Sequence, residues 1–188
     1  MTPSTAPLDW LISRLARLVE TATDALEAQY PNGVAAWEQE VSRQLARYHA
    51  AAMMAGSGVT TLTTPMTTAI TRDLATQLAF LRKFAISIAD GARWERSWNT
   101  RAQMYAESIK VPYWQGKVKM LPLPAMPGDG TSQCLTRCKC AWDIQQLDGE
   151  SNYDCTWAMS DAEHCQTCKQ RAQDWAPLRV RDGVVQLG

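Results

Sequence analysis

The sequence predicts an α+β chain: an N-terminal helical region followed by a small cysteine-rich module built with β-hairpins. Three observations carry that expectation. Apolar residues recur at helical spacing over roughly the first 100 positions. All six cysteines lie between Cys134 and Cys168. Alternating apolar stretches and Asp-Gly turns surround the cysteine clusters. A length of 188 residues accommodates a helical domain plus one small module. The expected divisions are a helical domain over 1–108, a Pro/Gly-rich extended connector over 109–132, and a cysteine-rich module over 133–188.

The first helix is expected over 8–29, where Leu8, Leu11, Ile12, Leu15, Leu18, Val19, Ala22 and Leu26 share one face. Tyr30-Pro31-Asn32-Gly33 ends it. A second helix runs from about Val34 to Ala55, with Val34, Trp37, Val41, Leu45, Tyr48 and Ala52 on its stripe. Glycines and β-branched residues then break the pattern, and Thr64-Pro65 reads as the cap and first residue of a third helix. That helix carries Ile70, Leu74, Leu78, Leu81, Ala85 and Ile88, with Gly91 at its C-terminal cap.

From Ala92 to about Ser108 the helical pattern resumes, with Trp94, Trp98, Arg101 and Tyr105 on one side. Two readings stand side by side. One is an arginine-stacked helix packed on its neighbour, because aromatic stripes at helical spacing are usually core. The other is a docking surface, because Trp, Tyr and Arg are enriched at binding hot spots. The partner surface would comprise Trp94, Trp98, Arg101 and Tyr105, continued by Tyr113 and Trp114. The prolines and glycines of 109–132 cannot be helical throughout and read as an extended crossing to the module.

Within the module, Cys134-x3-Cys138-x-Cys140 comes first. Two alternating stretches follow, with Trp142 and Ile144 on one face and Tyr153, Cys155 and Trp157 on another, joined through Asp148-Gly149 as a hairpin. Ser160 and Glu163 form a capping box, so a helix is expected to start near Asp161 and to place Cys165 and Cys168 a turn apart on one face. A second Asp-Gly, at 182–183, predicts a terminal hairpin.

Two thiolate pairs at this spacing supply what a tetrahedral zinc ion needs. The order of knuckle, hairpin and helix predicts a treble-clef-like module with a closed, structural zinc site. The expected ligands are Cys134, Cys138, Cys165 and Cys168, with Cys140 an alternative to Cys138. Cys155 alternates with Trp157 and reads as core. His164 is a sixth donor by proximity, yet on a helix it would point away from Cys165 and into solvent. Disulfides are the competing reading of the same cysteines. The N-terminus lacks a basic stretch before an uninterrupted apolar run, which argues against a secretory signal and so for zinc. No run approaches the length of a membrane span.

Net charge is zero but unevenly spread. Residues 61–128 carry nine basic and four acidic side chains, and residues 129–188 carry six and nine. A net negative module is the wrong sign for gripping a nucleic-acid backbone, which disfavours a zinc-finger regulatory protein without removing it. The two histidines, His49 and His164, fall in no motif of a zinc nuclease or nucleophilic enzyme, and no phosphate-cradling loop is present. An enzyme is not expected.

Three stretches resemble a known family. "RAQMYAES", "PGDGTSQCLTRCKCAW" and "EHCQTCKQRAQDWAPLRV" are similar to the C-terminal region of phage head morphogenesis proteins, the Mu F-like minor capsid proteins. The similarity covers roughly residues 75–182 and includes the helical phrase "QLAFLRKFAISIADG". In the family's commoner pattern a C-x-x-C pair precedes the C-x-C step. Here Cys165-x-x-Cys168 follows Cys138-x-Cys140, which marks a divergent member. The resemblance implies a structural, non-enzymatic role in the virion head near the portal. Portal or other capsid proteins would be the partners, and the virion or host cytoplasm the location.

Overall fold

The computed structural model describes residues 6–91, 93–147 and 152–186. Three long helices come first: α1 (Ala6–Gln29), α2 (Val34–Ser57) and α3 (Thr64–Ala89). Their buried residues follow the expected stripes. Leu8, Leu11, Leu15, Val19 and Leu26 of α1 face Trp37, Val41, Leu45 and Ala52 of α2 and Leu81, Phe84, Ala85 and Ile88 of α3 in one apolar cluster. Complete burial of each Leu, Val, Ile or Phe among them contributes about 1.5–3 kcal/mol. The polar pair Trp37 and Thr23 within this face is satisfied. The Trp37 indole donates to Thr23 Oγ1 at 3.1 Å, and that hydroxyl donates to the Val19 carbonyl at 2.7 Å.

The helix expected over 92–108 is shorter. α4 spans Arg96–Gln103 and passes into a 3-10 turn over Met104–Ile109. Ala92, the expected start, lies outside the described residues. Of the two readings of its aromatics, the packed one holds. Trp98, Tyr105, Tyr113 and Trp114 are all buried. Trp94 and Trp98 wedge against Tyr30, with ring centroids 5.3–5.9 Å apart, and Tyr105 stacks at 6.3 Å on Phe84. The segments that carry these rings pack chiefly on α1 and α2, which covers Trp98, Tyr105, Tyr113 and Trp114 and leaves Trp94 half-buried. Arg101 is exposed, but its guanidinium lies 4.3 Å over the Phe84 ring.

The expected extended connector is also corrected in its first half. α5 (Lys110–Lys117) is helical and packs against α2. Pro112 stands in its first turn, where a missing N–H removes no helical hydrogen bond. Gly56 and Gly116 let the two backbones approach: a Cβ at Gly56 would collide with the Tyr113 carbonyl, and one at Gly116 with the Met53 carbonyl. Lys119 and Met120, both with positive φ, end the helix. Only from Leu121 onward does the chain run without helix to the cysteines.

The module is a four-stranded antiparallel meander with one helix. β1 (Ala141–Gln146), β2 (Tyr153–Ala158), β3 (Leu178–Arg181) and β4 (Val184–Gln186) follow in order, and α6 (Gln166–Asp174) lies between β2 and β3. Trp142 pairs with Trp157 and Ile144 with Cys155, the two faces expected of the hairpin. Its Asp148-Gly149 connection lies outside the described residues. Asp182 and Gly183, at φ 49° and 77°, make the β3–β4 turn as expected. Trp142, Trp157 and Trp175 form a three-ring core with centroids 5.2–5.6 Å apart. This core and the helical one are parts of a single apolar cluster, so the module is seated on the helices.

Candidate metal centre

Cys134, Cys138 and Cys140 enter from the turn that precedes β1. Leu135 takes a positive φ of 50° and opens a short 3-10 turn over Leu135–Arg137, closed by the Arg137 amide donating to the Cys134 carbonyl at 3.0 Å. This turn brings the sulfurs of Cys134 and Cys138 to 3.6 and 3.7 Å from that of Cys168, in two different groupings. Cys165 and Cys168 come from the start of α6. The expected capping box is not made. Ser160 Oγ accepts from the Ala162 amide at 3.3 Å, and α6 begins only at Gln166, with Cys165 at the cap position.

That later start decides the role of His164. On a helix from Asp161 it would diverge from Cys165. In the irregular turn actually present, both side chains reach the cluster. His164 Nδ1 stands 3.4 Å from Cys140 Sγ, and its Nε2–H donates to the Ser160 carbonyl at 2.8 Å. The backbone carbonyl thus fixes the ring and the tautomer, leaving the Nδ1 lone pair turned toward sulfur.

Five thiols converge. Their sulfurs form two triads, each within 4.8 Å, that share Cys168: Cys134, Cys165 and Cys168, and Cys138, Cys140 and Cys168. Cys134 lies 3.6 Å from Cys168, Cys165 3.6 Å from Cys134, and Cys138 3.7 Å from Cys168. A disulfide would hold sulfurs at about 2.05 Å. A tetrahedral zinc with bonds of about 2.3 Å separates its sulfurs by about 3.8 Å. The spacing fits a shared cation, and all six cysteines are free thiols. Cys155 lies outside both triads, fully buried in β2 opposite Leu178, where burial and the nearby Asp154 push its pKa up to about 11. It belongs to the core, as expected.

The electrostatics point the same way. Hydrogen bonding from the Cys140 thiol pulls Cys138 down to about 5 against its burial, helped by the Cys140 amide and the Cys168 and Cys134 thiols. Cys140 is pushed up by its Cys138 neighbour, and Cys168 and Cys134 chiefly by burial. Burial works to raise Cys165, yet the Cys168 backbone N–H and the Cys168 and Cys134 thiols outweigh it and bring the group to about 7. The thiols therefore ionise at one another's expense. A divalent cation among them would remove that conflict and hold these cysteines as thiolates.

Sequence reasoning missed a second feature, a cavity of about 590 Å³ lined by His49, Asp73, Ser108, Gln115 and Asp129 among others. His49 is buried, with Nε2 at 3.0 Å from Ser108 Oγ, while that hydroxyl donates to the Tyr105 carbonyl at 2.7 Å. Nε2 therefore carries the proton and donates a hydrogen bond to the Ser108 oxygen. This polarity holds a helix junction together and does not activate a nucleophile.

Comparison with protein-family models, with curated proteins and with solved structures finds no match. The function must therefore come from the site itself and from the sequence resemblance. Among the described residues no helix is long and apolar enough to cross a membrane.

Proposed function

We propose that this chain is a structural, non-enzymatic protein whose C-terminal module is held by thiolate-bound zinc, and that it serves as a minor component in phage head or portal assembly. The observation that carries the zinc reading is the sulfur spacing of 3.6–3.7 Å around Cys134 and Cys168, close to the edge of a zinc tetrahedron. Four protein thiolates, Cys134, Cys138, Cys165 and Cys168, fill such an ion completely. With no position left for water or substrate, the ion is structural. The order of turn, hairpin and helix around it supports the treble-clef-like description.

Zinc here would fix more than the module. The stretch 121–132 leads directly into Cys134, and the Trp142 indole donates to the Ala125 carbonyl at 2.9 Å. Holding the cysteine turn therefore also holds the strap that joins helices to sheet. The head-assembly part of the proposal rests on the resemblance of residues 75–182 and on the net negative module. With the aromatics of 94–114 largely buried, the apolar side chains left exposed on α1 and α3, Trp10, Phe80 and Ile86, are where a capsid partner would bind.

Co-expression of the chain with phage portal and major capsid proteins tests the reading. Association that survives moderate salt, and weakens on Trp10→Ser or Phe80→Ser while zinc content is unchanged, supports it. Tight sequence-specific DNA binding at physiological salt, with no association with head proteins, would replace it with the regulatory alternative.

A further inference from the structure

The structure places more donors at the centre than one ion can use. Once Cys134, Cys138, Cys165 and Cys168 are assigned, Cys140 and His164 remain, and neither points away. Cys140 completes a triad with Cys138 and Cys168, and His164 aims a lone pair at it from 3.4 Å. With zinc–sulfur bonds near 2.3 Å and zinc–nitrogen bonds near 2.05 Å, a tetrahedral sulfur–nitrogen edge is about 3.6 Å.

The geometry points to a second zinc site, formed by Cys140, His164 and the shared thiolates of Cys138 and Cys168, making the centre a binuclear thiolate cluster. Cys134 and Cys165 are terminal on the first ion, and Cys140 and His164 on the second. Six donors, two of them bridging, fill two four-coordinate shells with none to spare. Three observations support it independently. Cys168 belongs to both sulfur triads and is fully buried between them. Cys138 belongs to the second triad, and its sulfur lies 3.7 Å from that of the shared Cys168. The second ring nitrogen of His164 is anchored on a backbone carbonyl, the arrangement that metal-bound imidazoles adopt.

Charge favours the pair as well. One divalent ion on four thiolates leaves two negative charges in a half-buried site, with the Cys140 thiol beside them. A second divalent ion, with Cys140 giving up its proton to solvent, leaves one. This inference rests on the zinc reading proposed above and extends it from one ion to two.

Native mass spectrometry of the untagged full chain, expressed with zinc and exchanged into volatile buffer, counts the ions directly. The expected count is two per chain. His164→Ala and Cys140→Ala should each drop it to one while the tryptophan near-ultraviolet circular dichroism persists. In cadmium-113 NMR of the substituted protein, two signals are expected, one from a four-sulfur site and one, more shielded, from a three-sulfur, one-nitrogen site. A count of one in the wild type, unmoved by His164→Ala and Cys140→Ala, overturns the second site and leaves the single structural zinc intact. A count of zero in a folded chain overturns both.

Discussion

The indole of Trp142 donates to the carbonyl of Ala125 at 2.9 Å, joining the first strand of the sheet to the strap that arrives from the helices. Trp142 is buried, and its ring also packs on Trp157 and Trp175. One side chain therefore couples the module's core to the chain segment that positions its first cysteine.

Trp142→Phe keeps most of the apolar contact and leaves the Ala125 carbonyl without this donor. An unsatisfied buried acceptor costs about 1–3 kcal/mol. Urea unfolding should show a loss of that size. Hydrogen exchange should quicken around 121–132 before it changes in α1 or α2. Uniform exchange across the chain would show that the strap is not held at this point.

Trp114 illustrates how the sequence could mislead. Six aromatic and arginine residues in a polar stretch suggest a contact surface, yet Trp114 is 2% exposed and lies edge-on to Tyr113 at 5.6 Å. Trp114→Ala should cost about 3–5 kcal/mol of stability, as a large core truncation does. Arg101→Ala, which removes only an exposed stack on Phe84, should cost about 0.5–1 kcal/mol. Equal, small losses by thermal or urea denaturation would return Trp114 to the surface.

What was legible follows from which forces are local. The stripes of α1–α3 and the face pairing of Trp142 with Trp157 are periodic, and period survives folding. The α5 helix was hidden because Pro112 signals breakage unless its position in the first turn is known. The partner surface was misread because the aromatics between 94 and 114 are covered chiefly by α1 and α2 packing on their segments, a tertiary fact. At the candidate metal centre, thiol spacing was enough to foresee that these cysteines cluster, though Cys140 gathers with Cys138 and Cys168 and does not stand in for Cys138. His164 was lost to a capping box that Ser160 and Glu163 spell but do not form, since Ser160 turns to Ala162 and the helix starts at Gln166. The motif "HCQTC" carried the signal all along.

His49 gives the stability a pH dependence. Burial lowers its pKa from 6.5 to about 4, with Asp73 opposing. Between those values the unfolded chain binds a proton that the folded one refuses. Stability is therefore undiminished above about pH 6.5 and falls as pH drops toward 4, by at most about 3 kcal/mol. His49→Gln should flatten that part of the curve by about one proton relative to wild type. Acid release of metal acts on both proteins, so the difference in slope isolates the histidine. Parallel curves would mean that His49 is already charged in the fold.

The central claim is that a metal ion on the Cys134–Cys168 cluster holds the module together. Its most direct test is the zinc content per chain of untagged protein purified without added metal, read alongside Cys168→Ser and Cys155→Ser. Cys168 is common to both sulfur triads, whereas Cys155 belongs to neither. The account expects stoichiometric zinc in the wild type, retention in Cys155→Ser, and loss of metal together with unfolding of 133–188 in Cys168→Ser. A wild-type chain that is free of metal and still fully folded would contradict it.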